Sequence, residues 1–129
     1  MQASGKHRAI SVLVVDDEED IAYSLSKGLI SKGYAVDAYI NSVQALTCDP
    51  KKYDIAILDI RMPDVNGFEL ARKLMLKNPD LQVCFFTAFD ISPNEARTVL
   101  PSLITHCFLK KPMSIEKMAS HIEAHFVKA

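Results

Sequence analysis

The sequence carries almost no net charge: 15 Lys and Arg stand against 16 Asp and Glu, giving −1 at pH 7. Such a chain has no field for drawing in nucleic acid or an anionic membrane, so direct binding to either is not expected. Cysteine is also sparse. Cys48, Cys84 and Cys107 are odd in number and widely spaced, with no CxxC pair, so neither a disulfide framework nor a zinc knuckle is suggested. Cys84 and Cys107 read instead as small buried hydrophobes. Apolar runs of the ~20 residues needed to span a bilayer are missing, and the polar start MQASGKHR has no apolar leader core. Internal repeats and low-complexity tracts are missing too. These absences point to a soluble, cytoplasmic protein kept in a reducing compartment. A length of 129 residues implies one domain with a real core, organised as a disordered tail over 1–9 and a folded unit over 10–129.

What is present is alternation. Ile10 to Val15 and Ile55 to Leu58 are nearly continuous aliphatic runs, the pattern of strands covered on both faces. Ala35 to Tyr39, Val83 to Thr87 and His106 to Leu109 read as further strands. Helical stripes lie between them. Asp20 to Lys32 places Ile21, Leu25, Gly28 and Leu29 on one face; Phe68 to Lys77 does the same with Phe68, Ala71, Leu74 and Met75. Ser42 to Cys48 suggests a short helix, and Ile115 to Phe126 a final one behind a Ser114 N-cap. Strand and helix in turn predict an α/β fold: a flavodoxin-like, doubly wound parallel sheet of about five β/α units with strand order 2-1-3-4-5.

That fold decides which residues meet. Ligands of such sheets bind outside the carboxyl ends of strands 1 and 3, where the winding reverses. Strand 1 ends in Asp16-Asp17, strand 3 in Asp59, strand 4 in Thr87 and strand 5 in Lys110-Lys111-Pro112. Three carboxylates crowded at one rim repel, and a hard divalent cation relieves the conflict. Mg²⁺ takes one or two carboxylates, waters and a phosphate oxygen, so the site asks for a phosphate. A Lys ammonium and a Thr hydroxyl suit the equatorial oxygens of a phosphoryl group. Asp59, alone at its strand end while Asp16 and Asp17 come as a chelating pair, is the candidate nucleophile.

The set VVDDEED, ILDIRMPDVNG, FFTA and FLKKP resembles the receiver domain of two-component response regulators, over nearly the whole chain from Ile10 to about Phe126. The resemblance implies that Asp59 accepts a phosphoryl group from a sensor histidine kinase or a phosphotransfer protein. It makes Asp17 a direct Mg²⁺ ligand, Asp16 a ligand largely through water, and the Arg61 backbone carbonyl the last protein ligand, with Mn²⁺ as an alternative ion. Lys111 would pair with the phosphoryl group across a cis Lys111-Pro112 bond. Thr87 and Phe108 would be the switch pair, Gly67 the turn glycine, and Ala88 the small residue beside the acceptor. Output would pass to a downstream protein or a fused effector domain, with a phosphorylation-dependent dimer left open. Such a domain is a switch with slow autodephosphorylation, not a turnover enzyme.

Two other readings use the same residues. A phosphorylation-independent interaction module need not keep the acids, Thr87 and Lys111 together. An aspartyl-phosphate phosphatase resembling the haloacid dehalogenases wants a second Asp two residues beyond the nucleophile, where this chain has Arg61. Some residues carry bland readings. Glu18, Glu19 and Asp20 fit a solvated acidic helix start favoured by the helix dipole, Phe108 could be plain core, and His121 with His125 a solvated helix face. Pro93 and Pro101 depart from the receiver pattern and predict an altered or broken helix between Pro93 and Thr105. Arg61 and Phe89, two residues beyond Asp59 and Thr87, are expected to tune phosphoryl lifetime. Arg61→Ala is therefore expected to change the dephosphorylation rate, and an unchanged lifetime of the phosphorylated protein would remove that role.

Overall fold

The aliphatic runs become the centre of a sheet in the computed structural model, which describes residues 9–88 and 107–124. Along the chain come β1 (Ser11–Val15), α1 (Glu19–Ser31), β2 (Ala35–Tyr39), α2 (Ser42–Ala45) and a 3₁₀ turn at Pro50–Lys52. Next are β3 (Ile55–Leu58), α3 (Gly67–Lys77), β4 (Gln82–Thr87), β5 (Cys107–Lys110) and α4 (Ile115–Ile122). The five strands pair in parallel in the order β2-β1-β3-β4-β5. Expected fold and strand order are therefore both found. The expectations about Phe89, about a break at Pro101 and about His125 lie outside the described residues, as do residues 1–8 of the proposed tail.

Strand residues alternate between two cores, which is why β1 and β3 read as unbroken apolar runs. Leu13, Val15, Ala56, Leu58, Val83 and Phe85 join Phe68, Leu70, Ala71 and Leu74 of α3 on one face. Val12, Val14, Ile55, Ile57, Cys84 and Phe86 join Ala22, Leu25 and Leu29 of α1 and Met118 and Ile122 of α4 on the other. Helix starts follow local chemistry. Asn66 and Ser114 cap α3 and α4 by accepting the Glu69 and Lys117 N–H groups. Glu19 and Asp20 occupy the first turn of α1, where the helix dipole favours acids.

One expectation is corrected. Cys84 and Cys107, read as separate buried thiols, form a disulfide between β4 and β5. The cause is register: the two are direct partners across the strand pair, yet stand 23 residues apart in sequence, so no spacing motif announces them. Cross-linking positions that far apart is worth about 3 kcal/mol in the chain-entropy account. Reductant should therefore lower the unfolding free energy by about 3 kcal/mol and bring the urea midpoint down with it. Identical midpoints, with no mass difference between reduced and non-reduced denatured protein, would contradict the bridge.

Candidate functional site

The carboxyl edge of the sheet is built by backbone ladders that run one residue past the strands. Asp59 N–H donates to the Val15 carbonyl (2.9 Å), Asp16 N–H to that of Tyr39 (3.1 Å), and Lys111 N–H to that of Thr87 (2.8 Å). Three of the predicted site residues are thus fixed by the sheet itself. Asp16, Asp59 and Thr87 are buried, at 2%, 6% and 4% exposure. Carboxylate oxygens of Asp16, Asp17 and Asp59 all lie within 4.8 Å of one another.

One ammonium faces this cluster. Lys111 Nζ stands 2.8 Å from Asp16 Oδ2 and 3.6 Å from Asp59 Oδ2, and 5.6 Å from the centre of the Phe86 ring. The Ile60 N–H donates to Asp59 Oδ1 (2.8 Å), and the Glu18 N–H to Asp16 Oδ1 (2.9 Å). The Lys111-Pro112 bond is cis, as the resemblance implied.

Burial and like charge dominate the titration. Asp59 is pushed up to about 6, first by burial and then by the Asp16 charge, against the opposing pull of Lys111 and the Ile60 N–H. Burial also raises Asp16, despite its bonds to Lys111 and to the Glu18 N–H. For Lys111 burial works downward, but the Asp16 hydrogen bond, with the charges of Asp16 and Asp59, outweighs it and holds the ammonium above its usual value. Three close carboxylates against one lysine suit a hard divalent cation, which prefers oxygen ligands and relieves their repulsion.

Gly67 brings the loop after Asp59 into line. Its N–H donates to the Ile60 carbonyl (2.8 Å), and a Cβ at this position would collide with the Asp59 carbonyl oxygen and the Ile60 backbone. Before it, Asp64 sits at φ +69° inside a tight turn closed by the Val65 N–H and the Pro63 carbonyl, a conformation Asp tolerates better than most residues.

The remaining predicted residues are placed as follows. Arg61 is exposed two residues past Asp59, and Ala88 is exposed just past Thr87. Phe108 is 37% exposed, so it is not the plain core residue that one reading allowed; its ring stacks on Phe85 at 5.2 Å and approaches Phe68 at 6.4 Å. One contact was not foreseen. Glu18, read as a solvated helix-start acid, reaches Lys111 with its Oε1 at 3.2 Å. Nothing in the sequence separates it from Glu19 and Asp20.

Residues 12–123 match the family model of the response regulator receiver domain. Curated relatives include the sensor protein EvgS of Escherichia coli O157:H7, 35% identical over 88% of this chain and 9% of the relative. Another is the transcriptional regulatory protein CusR of Escherichia coli K12, 30% identical over 88% of this chain and 49% of the relative. The chain thus spans less than half the length of either. Among solved structures, the chemotaxis protein CheY4 of Vibrio cholerae superposes with a TM-score of 0.78 at 25% identity, covering 90% of this chain and 98% of that one. The response regulator TrrA of Thermotoga maritima, in complex with Mg²⁺ and BeF, gives 0.75 at 29% identity, covering 89% and 97%.

The raised Asp59 has a consequence for stability with a definite sign. Its folded value of about 6 lies above the 3.8 of an unperturbed Asp, so between these values the folded state holds more protons than the unfolded one. Stability therefore falls as pH rises from about 4 through 6. In metal-free buffer Asp59→Asn should unfold at higher urea than the wild type at pH 8, by up to about 3 kcal/mol, and show little advantage at pH 3.5. Mg²⁺ should narrow the gap by stabilising the wild type. A constant difference at all pH values would show that Asp59 does not carry the strain.

Proposed function

The chain belongs to the response regulator receiver domain family, and from that premise we propose that it is a switch loaded by phosphoryl transfer to Asp59. Receivers of two-component systems are signalling switches rather than turnover enzymes, and phosphorylation and Mg²⁺ binding are typical of them. The observation that carries the assignment to Asp59 is geometric. Its Oδ1 is tied to the Ile60 N–H while Oδ2 faces Lys111 across 3.6 Å. Asp16 Oδ2 is already engaged by the same ammonium at 2.8 Å, so Asp59 carries the less committed oxygen of the two buried acids.

In this reading the donor is the phosphohistidine of a sensor kinase or phosphotransfer protein. An Asp59 carboxylate oxygen forms the new O–P bond as the N–P bond breaks, and the electron pair stays on the imidazole nitrogen. Lys111 pairs with one phosphoryl oxygen and Thr87 donates its hydroxyl to another, while Ile60 keeps the carboxylate oriented. Asp17, Asp16, Asp59 and the Arg61 carbonyl would hold Mg²⁺, which when bound neutralises the crowded carboxylates and the developing phosphoryl charge. Support for that ion comes from the close carboxylate oxygens and from the Mg²⁺-bound state of the TrrA structure. Water later hydrolyses the acyl phosphate, with Arg61 and Phe89 tuning access.

Phe108 and Thr87 form the proposed switch. Phe108 lies on the strand next to β4, half-exposed and stacked on Phe85, a position from which it can turn inward when Thr87 moves toward a phosphoryl group. The output is a downstream protein or an effector domain in the same polypeptide. A cytoplasmic location goes with this proposal, alongside the phosphohistidine donor. Among the described residues no helix is long and apolar enough to cross a membrane. The Cys84–Cys107 bridge pulls against a reducing compartment.

Intact-mass spectrometry after acetyl phosphate and Mg²⁺ tests the acceptor. The wild type should gain one phosphoryl group, about 80 Da, and Asp59→Asn should gain none. No gain in the wild type would favour a phosphorylation-independent interaction module. A gain surviving in the variant would move the acceptor, and repeated turnover of a small phosphoester would restore the phosphatase reading.

A further inference from the structure

Lys111 has three N–H groups and, among the described residues, three carboxylate neighbours: Asp16 at 2.8 Å, Glu18 at 3.2 Å and Asp59 at 3.6 Å. Asp16 and Asp59 are buried and belong to the ion and phosphoryl chemistry, whereas the Glu18 side chain is 62% exposed. An exposed carboxylate returns to water at little cost when its partner is taken away, and a buried one does not. Glu18 is therefore the neighbour that Lys111 can exchange.

The main chain of Glu18 is anchored independently of that side chain. Its N–H donates to Asp16 Oδ1, and its carbonyl accepts the Ile21 and Ala22 N–H groups at the start of α1. The side chain makes no capping hydrogen bond. It bridges instead to a lysine 93 positions later, joining the N-cap of α1 to the segment after β5.

We propose that Glu18 is a positioning residue that holds the Lys111 ammonium while Asp59 is unphosphorylated and yields it to the incoming phosphoryl group, so setting the loading rate. This rests on the receiver chemistry proposed above. Before transfer one Lys111 N–H is donated to Glu18 Oε1; afterwards that N–H is donated to a phosphoryl oxygen, and Glu18 is solvated. No covalent change occurs at either side chain.

Glu18→Gln leaves the backbone bonds of Glu18 intact and weakens only its hold on Lys111. Loading from acetyl phosphate with Mg²⁺, timed by intact mass, should be about two- to fivefold faster in this variant, the scale of one exposed ion pair. The urea midpoint should not move, as it would for a purely structural residue. Glu18→Asp, which keeps the charge on a shorter stem, should fall between the two. Glu19→Gln removes the same charge from the same exposed helix start and should load at the wild-type rate. Equal rates in Glu18→Gln and wild type would overturn the inference, and so would an equal gain in Glu19→Gln, since the cause would then be the general field of the acidic turn. A wild type that takes up no phosphoryl group would instead overturn the receiver chemistry, and the inference with it.

Discussion

At the carboxyl edge of the sheet, among the described residues, one ammonium stands against a crowd of carboxylates, and backbone ladders fix the lysine and the two buried acids in place. Asp16 is held by the Tyr39 carbonyl, Asp59 by that of Val15 and Lys111 by that of Thr87. Side chains on such anchors cannot relax by strand shifts without breaking the sheet hydrogen bonds that the two cores protect. Their enclosure appears in titration: burial first, and for Asp59 the Asp16 charge next, raises both carboxyls. A fold that stores repulsion at one rim is poised to be relieved by a ligand, because only a group that neutralises the rim lowers the energy of the whole arrangement. In the proposed switch, ion binding and signalling would begin from the same physical term.

The loop after β3 carries that term into the core. Because Gly67 has no Cβ, α3 starts directly against the Asp59 carbonyl, and the next residue, Phe68, packs edge-on to Phe85 at 4.9 Å. Phe85 in turn stacks with Phe108. Acceptor backbone, helix start and exposed aromatic ring are therefore linked by contacts rather than by sequence proximity. In the proposed switch, a shift of the loop after Asp59 would reach Phe68 first, and Phe85 and Phe108 next.

The sequence made the strands legible where both faces are covered, as in β1 and β3, since continuous apolar runs have few other uses. It was less informative at the edge, where β2 is largely exposed, and α2 proved a single turn where Ser42 to Cys48 suggested more. The 3₁₀ turn at Pro50–Lys52 has no periodicity to betray it. Asp16, Asp17, Asp59 and Lys111 could be brought together because strand order alone places strand ends side by side. Glu18 could not, since its role depends on where a flexible side chain points, and the Cys84–Cys107 pair could not because it depends on register between strands 23 residues apart.

Register would also limit where the proposed switch can move. β5 is an edge strand, and β4 is its sheet neighbour. The bridge from Cys84 to Cys107 ties the first residue of β5 to β4, and the last described link of this strand pair is the Lys111 N–H to the Thr87 carbonyl. Phe108 lies immediately after the bridged position and on the opposite face, toward Phe85. With the start of β5 covalently fixed, a rearrangement of Thr87 and Phe108 cannot proceed by sliding β5 along β4. It has to be taken up by side-chain rotation at Phe108 and by the segments beyond the strand ends, so the bridge would confine the response to the rim from which it starts.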